Sequence, residues 1–139
     1  MDPSAPWVST GAAGERLGKP KRILVIDDEP AVRRLLTDLL VGEGYVVSEA
    51  PDGIRGLERL RDVSPDLIII DLMMPIMSGW AFAEECRRTG ICTDVPMIAI
   101  SAMFDLNSAA ARLDNLGVRA YLAKPFDVGM LLSLVAEFA

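Results

Sequence analysis

Residues 67–71 read LIIID, four consecutive branched apolar side chains followed by an aspartate. The same pattern occurs twice more: ILVI at 23–26 runs into Asp27-Asp28, and MIAI at 97–100 runs into Ser101. A strand with one wet face alternates apolar and polar residues. An unbroken apolar run of this length suits a strand covered on both faces, as in a parallel sheet. Val46–Ala50 and Ala120–Ala123 are two weaker strand candidates.

Helical patterns lie between these runs. Val32, Leu35, Leu36, Leu39 and Leu40 follow i, i+3, i+4, i+7, i+8 spacing, with Pro30 suited to the first turn and Gly42 and Gly44 to the end. Ile54, Leu57 and Leu60 mark a second helix after the Asp52-Gly53 turn, and Trp80, Ala83 and Cys86 a third. Leu106, Ala109, Ala110, Leu113 and Leu116 mark a fourth, closed by Gly117; Val128, Leu131, Leu132 and Val135 mark a fifth. Strand and helix therefore alternate five times, which predicts an α/β fold: a doubly wound five-stranded parallel sheet with helices on both faces. The flavodoxin-like strand order 2-1-3-4-5 is a common solution at this size, with strands one and three adjacent at the switch point where ligands bind.

The 139 residues fit one domain, and 51% hydrophobic content supplies a core. Residues 1–20, rich in Pro, Gly, Ser and Ala and including Trp7, read as a flexible N-terminal arm; residues 21–139 read as the domain. No apolar run approaches the roughly 20 residues that span a bilayer, and the start has no basic-then-apolar secretory pattern. The expectation is a cytoplasmic protein without a membrane partner. A net charge of −6 argues against direct nucleic-acid binding, which needs clustered Lys and Arg. The chain has no histidine and two cysteines, Cys86 and Cys92, so a zinc site of the usual Cys/His kind cannot form within one chain. The cysteines are expected to be free thiols in a reducing compartment, with a Cys86–Cys92 disulfide the alternative.

The polar residues that end the strong strands carry the chemistry. In the order above, Asp27, Asp28, Asp71, Ser101 and Lys124 gather at the carboxyl edge of the sheet. Crowded carboxylates repel, which raises at least one pKa. A hard divalent cation relieves this: Mg²⁺ takes oxygen ligands and keeps several waters, so two carboxylates and a carbonyl are a suitable protein share. Lys124 could hold a phosphoryl oxygen and Ser101 could donate to another, leaving ionised Asp71 as nucleophile for in-line phosphoryl transfer. Taken singly, Asp28 could be a helix cap before Pro30, Asp27 a turn residue, Ser101 a cap and Lys124 a solvated lysine. Their joint occurrence at the ends of successive strands is what the capping readings do not explain.

The segments ILVIDDEP, DLIIIDLMMPIMSGW, MIAISA and AYLAKPF resemble the response-regulator receiver family over residues 21–139. The resemblance implies a phosphorylation-dependent switch of a two-component system rather than a turnover enzyme, acting only on its own phosphorylation and dephosphorylation. It implies that Asp71 accepts a phosphoryl group from a phosphohistidine on a sensor histidine kinase or histidine phosphotransfer protein. Mg²⁺, or Mn²⁺ in its place, would be held by Asp28, Asp71 and the Met73 backbone carbonyl, with Asp27 acting through water. Lys124 and Ser101 would contact the phosphoryl group. Ser101 and Tyr121 would form the switch pair, shifting a surface made by the fourth helix, fifth strand and fifth helix. A cis Lys124-Pro125 bond and a small residue, Ala102, after Ser101 complete the pattern, and Met73 and Met103 flank the site.

Three other functions share parts of this pattern. A haloacid-dehalogenase-like phosphatase wants a second Asp two residues after the nucleophile, where this chain has Met73. A flavodoxin-like FMN binder wants a Ser/Thr/Gly phosphate loop after strand one, where this chain has Asp27-Asp28-Glu29. A receiver-like binding module that is never phosphorylated shares the fold. The fifth helix carries only Asp127 and Glu137 as charges, and Met130 and Leu134 fall opposite its core-facing residues. This suggests a homodimer or output partner on that surface. The chain's end at this helix reads as either a stand-alone receiver or a truncated regulator.

Overall fold

The computed structural model describes residues 18–92, 94–102 and 106–139. Most of the expected N-terminal arm, with Trp7, and Met103, expected to flank the site, lie outside the described residues. Five strands and five helices alternate: β1 Arg22–Ile26, α1 Pro30–Gly42, β2 Val46–Ala50, α2 Gly53–Val63, β3 Leu67–Asp71, α3 Gly79–Thr89, β4 Met97–Ser101, α4 Leu106–Asn115, β5 Val118–Ala123 and α5 Val128–Phe138. The sheet is parallel throughout, in the order β2-β1-β3-β4-β5, as the sequence pattern predicts.

The apolar runs divide by residue parity, because successive side chains of a strand point to opposite faces. Leu24, Ile26, Ile68, Ile70, Met97 and Ala99 enter one core with Phe82, Ala83 and Leu113 of α3 and α4. Ile23, Val25, Leu67, Ile69, Ile98 and Ile100 enter the other with Leu36, Leu40, Leu131 and Val135 of α1 and α5. The central strands are thus covered on both faces, which is why their sequence shows no alternation.

The helices start where the local chemistry directs. Asp52, Ser78 and Asp127 cap α2, α3 and α5, their side chains accepting from the amides of Arg55, Ala81 and Met130 at 2.9, 3.1 and 2.8 Å. Pro30 opens α1, where its missing N–H costs nothing. Gly90, at φ 73°, ends α3 in the left-handed conformation open to glycine.

Asp71 and Ser101 are the last ladder residues of β3 and β4, ending those strands as the sequence reading has it, Asp71 pairing with Ile100 and Ser101 with Ala123. Three other details differ from that reading. β5 begins at Val118, two residues early, because the register shifts between Met97↔Val118 and Ile98↔Ala120 and accommodates Arg119 as an extra residue. The expected free thiols are instead a Cys86–Cys92 disulfide. The turn at Gly90 folds residues 91–92 back toward the end of α3 and sets the two Cα atoms 5.4 Å apart, within bridging range. In α5, Leu131 and Val135 are buried, while Val128 joins Met130 among the exposed apolar residues.

Gly79 is where the fold closes onto β3. A Cβ there would collide with the Asp71 carbonyl oxygen and the Leu72 Cα, which are backbone and cannot swing away. At Gly42 a Cβ would meet nothing within 4 Å. Gly79→Ala is therefore expected to destabilise the protein by about 1–3 kcal/mol in urea unfolding, whereas Gly42→Ala should be neutral or stabilising by up to about 1 kcal/mol. Equal effects of the two would contradict this packing.

Candidate functional site

Among the described residues, the buried polar and charged side chains are Asp27, Asp71 and Ser101. All three stand at the carboxyl end of the sheet: Asp27 just after β1, and Asp71 and Ser101 closing β3 and β4. Burying an ionised carboxylate costs several kcal/mol unless it is paired, so the arrangement calls for positive charge. One oxygen each from Asp27, Asp28 and Asp71 lie within 4.8 Å of one another.

Lys124 supplies part of that charge. Its Nζ donates to Asp71 Oδ2 at 3.0 Å and to Glu29 Oε1 at 2.7 Å, and lies 3.0 Å from Asp27 Oδ2. The last approach is close enough for charge attraction but is not aligned as a hydrogen bond, so Asp27 Oδ2 is buried without a hydrogen-bond partner. The opposite oxygens are held by backbone: the Glu29 amide donates to Asp27 Oδ1 at 2.8 Å and the Met73 amide to Asp71 Oδ1 at 3.0 Å. Each buried carboxylate is thus oriented by an amide two residues ahead, with its second oxygen turned toward Lys124.

Burial pushes the Asp27 carboxyl above its ordinary range, outweighing the Glu29 amide and the Lys124 ammonium, which pull it down. Burial alone would lower Lys124, but its carboxylate partners Glu29, Asp27 and Asp71 more than compensate and raise it above the usual lysine value. Lys124 is therefore firmly charged, and a single ammonium does not fully relieve Asp27.

Backbone couples the remaining residues to this group. The Lys124 amide donates to the Ser101 carbonyl at 2.8 Å, and the Leu72 amide to the Ile100 carbonyl at 3.1 Å. The Lys124-Pro125 peptide is cis. Tyr121, paired in register with Ala99, is half-buried against the core on the α3–α4 side. The structure brings Asp27, Asp28, Asp71 and Lys124 into one group, sets Ser101 one backbone hydrogen bond from Lys124, and places Tyr121 on β5, three residues before Lys124. The sequence reading missed Glu29 as a partner of Lys124. Its only signal was its position directly after Asp27-Asp28.

The fold and the sequence both match known proteins. The response regulator receiver domain family matches residues 23–136. The chain belongs to the response regulator receiver family. It is 38% identical over 114 residues to the DNA-binding dual master transcriptional regulator RpaA of Synechocystis, covering 82% of this chain and 47% of that protein. It is equally similar to the response regulator MprA of a Mycobacterium species, covering 82% of this chain and 48% of that one. The chain thus spans about half the length of these curated relatives. Among solved structures, the response regulator protein TrrA of Thermotoga maritima, in complex with Mg²⁺-BeF, matches with a TM-score of 0.74 and 33% identity over 86% of this chain and 99% of that one. The chemotaxis response regulator CheY4 of Vibrio cholerae matches with a TM-score of 0.77 and 25% identity, covering 86% and 98%. A receiver is a phosphoacceptor signalling switch, generally not an enzyme, and receiver domains bind Mg²⁺ at an acidic pocket. Neither the phosphatase nor the FMN-binding alternative is favoured by these relatives. Among the described residues, no helix is long and apolar enough to cross a membrane.

The raised Asp27 pKa has a consequence for stability. The folded form holds the Asp27 proton more tightly than the unfolded chain does, so the ionised carboxylate opposes folding at neutral pH, and this cost fades as pH falls through the folded pKa. Asp27→Asn keeps the acceptor for the Glu29 amide and removes the charge. In EDTA at neutral pH it is expected to raise Tm by roughly 3–6 °C, the effect of about 1 kcal/mol at this size. A lowered Tm would show that the Lys124 pairing outweighs burial.

Proposed function

We propose that this chain is switched by transfer of a phosphoryl group from a phosphohistidine donor to Asp71. The observation that carries this reading is the meeting of Asp27, Asp28 and Asp71 in one group with the Lys124 ammonium 3.0 Å from Asp71 Oδ2. The donor set fits a hard divalent cation. It offers oxygens only, it is rich in negative charge, and it includes the buried Asp27 Oδ2 with no hydrogen-bond partner. Asp28, Asp71 and the Met73 carbonyl would hold Mg²⁺, or Mn²⁺ in its place, with Asp27 acting through water. When bound, the ion supplies positive charge to the phosphoryl oxygens.

The protein's own residues divide the remaining work. The Met73 amide fixes one Asp71 oxygen and leaves the other facing Lys124. That carboxylate oxygen attacks phosphorus as the P–N bond to the donor imidazole breaks, the bonding pair returning to the ring nitrogen. Lys124 holds one phosphoryl oxygen and Ser101 donates to another. Ser101 and Tyr121 then form the switch pair that shifts α4, β5 and α5. Arg112 of α4, stacked 4.2 Å from the Trp80 ring and 2.8 Å from Glu84, ties that surface to α3. Exposed Met130 and Val128 offer apolar contact for a second copy or an output partner. In this reading the chain catalyses only its own phosphorylation and dephosphorylation, and it works in the cytoplasm. Residues 21–139 form the receiver unit and residues 1–20 an arm.

The donor is a sensor histidine kinase or a histidine phosphotransfer protein. An apolar groove of about 420 Å³ opens beside the acidic group, lined by Val32 and Leu35 of α1, by Pro125 and Phe126 and by Val128. It borders Lys124 directly, so a partner seated there would present its phosphohistidine to Asp71.

Incubation with acetyl phosphate and MgCl₂ is expected to add one acid-stable, base-labile phosphoryl group to Asp71, read by intact mass. EDTA and Asp71→Asn should each abolish it, and Lys124→Ala should slow it by about 10²-fold or more. Phosphorylation that survives Asp71→Asn would place the acceptor elsewhere and end this reading.

A further inference from the structure

Lys124 divides its ammonium between two kinds of partner. Asp27 and Asp71 are buried members of the group whose oxygens could share a cation. Glu29 stands outside that group, with its side chain 57% exposed, yet it makes the shortest contact to Nζ at 2.7 Å. A divalent cation entering the crevice competes with the ammonium for the oxygens of Asp27 and Asp71, because like charges seek the same acceptors. A lysine released by both would be a four-carbon stem with several rotatable bonds, and ordering it again costs side-chain entropy. Glu29 is not drawn into that competition. It can keep Nζ at the mouth of the site while the N–H group vacated by Asp71 turns to an incoming phosphoryl oxygen.

We propose that Glu29 is a positioning residue for Lys124 in phosphoryl transfer, tethering the ammonium where the phosphoryl oxygen arrives. This rests on the reading of Asp71 as phosphoacceptor. The Glu29 backbone plays a separate part, since its amide holds Asp27 Oδ1 and its carbonyl accepts from the Arg33 amide at 3.0 Å. Its side chain makes no capping hydrogen bond to α1. Substitution of the side chain therefore leaves those bonds in place.

The test is phosphorylation of the full chain by acetyl phosphate at saturating MgCl₂, with Mg²⁺ affinity measured separately by titration calorimetry. Glu29→Ala is expected to lower the maximal rate of Asp71 phosphorylation about 3–10-fold through loss of orientation. The Mg²⁺ Kd should move by less than about twofold, as for an exposed charge at the rim. KM for acetyl phosphate should hold or fall, since one negative charge has left the path of an anion. Glu29→Gln, a neutral acceptor of the same shape, should recover part of the rate, and Tm should hold in both variants. A maximal rate in Glu29→Ala equal to wild type would overturn the proposal. So would a rate loss matched by a proportional loss of Mg²⁺ affinity, which would make Glu29 a partner of the ion instead. If wild type itself gains no phosphoryl group on Asp71, it is the underlying reading that fails, not the tether.

Discussion

The structure depends on one electrostatic constraint. Two carboxylates, Asp27 and Asp71, are buried at the rim of the sheet beside Asp28, and one ammonium, Lys124, stands against them. Such a group is unfavourable in isolation, because each buried charge gives up its hydration and like charges repel. It persists because the rest of the domain holds it. The amides of Glu29 and Met73 orient the carboxylates, and the backbone bond from Lys124 to Ser101 places the counter-charge. The strain falls on Asp27, whose carboxyl is pushed up in pKa and whose Oδ2 has no hydrogen-bond partner.

That holding power comes from the central strands. β3 is buried along its whole length, and so is β4. Their tips cannot drift without disturbing both cores, since alternate residues of each strand enter opposite layers. The residues that touch solvent at this edge, Glu29, Met73 and the α1–α5 groove, sit on the segments that follow the strands. A rigid floor and an exposed rim are thus built from the same ladder.

Much of this was legible in the residues. The runs at 23–26, 67–70 and 97–100 announce strands covered on both faces, and the polar residues that end them announce the rim. The turn at Asp52-Gly53 and the glycine ends of helices follow local chemistry and were equally readable. What was not readable depends on register or on through-space contact. Arg119 is an extra residue in β5 because of how that strand pairs with β4, which no local pattern records. Cys86 and Cys92 meet because a left-handed turn at Gly90 reverses the chain between them, and six residues of separation alone allow either bridged or free thiols. Glu29 looks like an ordinary acidic residue before a helix. Its contact with a lysine 95 residues away appears only when β1 and β5 take their places in the sheet.

The backbone hydrogen bond between Lys124 and Ser101 has a wider implication. Because the amide of one bonds the carbonyl of the other, the backbone just beyond β5 is anchored to the end of β4. The backbone spacing of the two residues is a property of the sheet, while the Lys124 ammonium at the end of its stem is set by its carboxylate partners. Surface segments around this rim can therefore change in length or charge while the backbone positions of Ser101 and Lys124 stay constant.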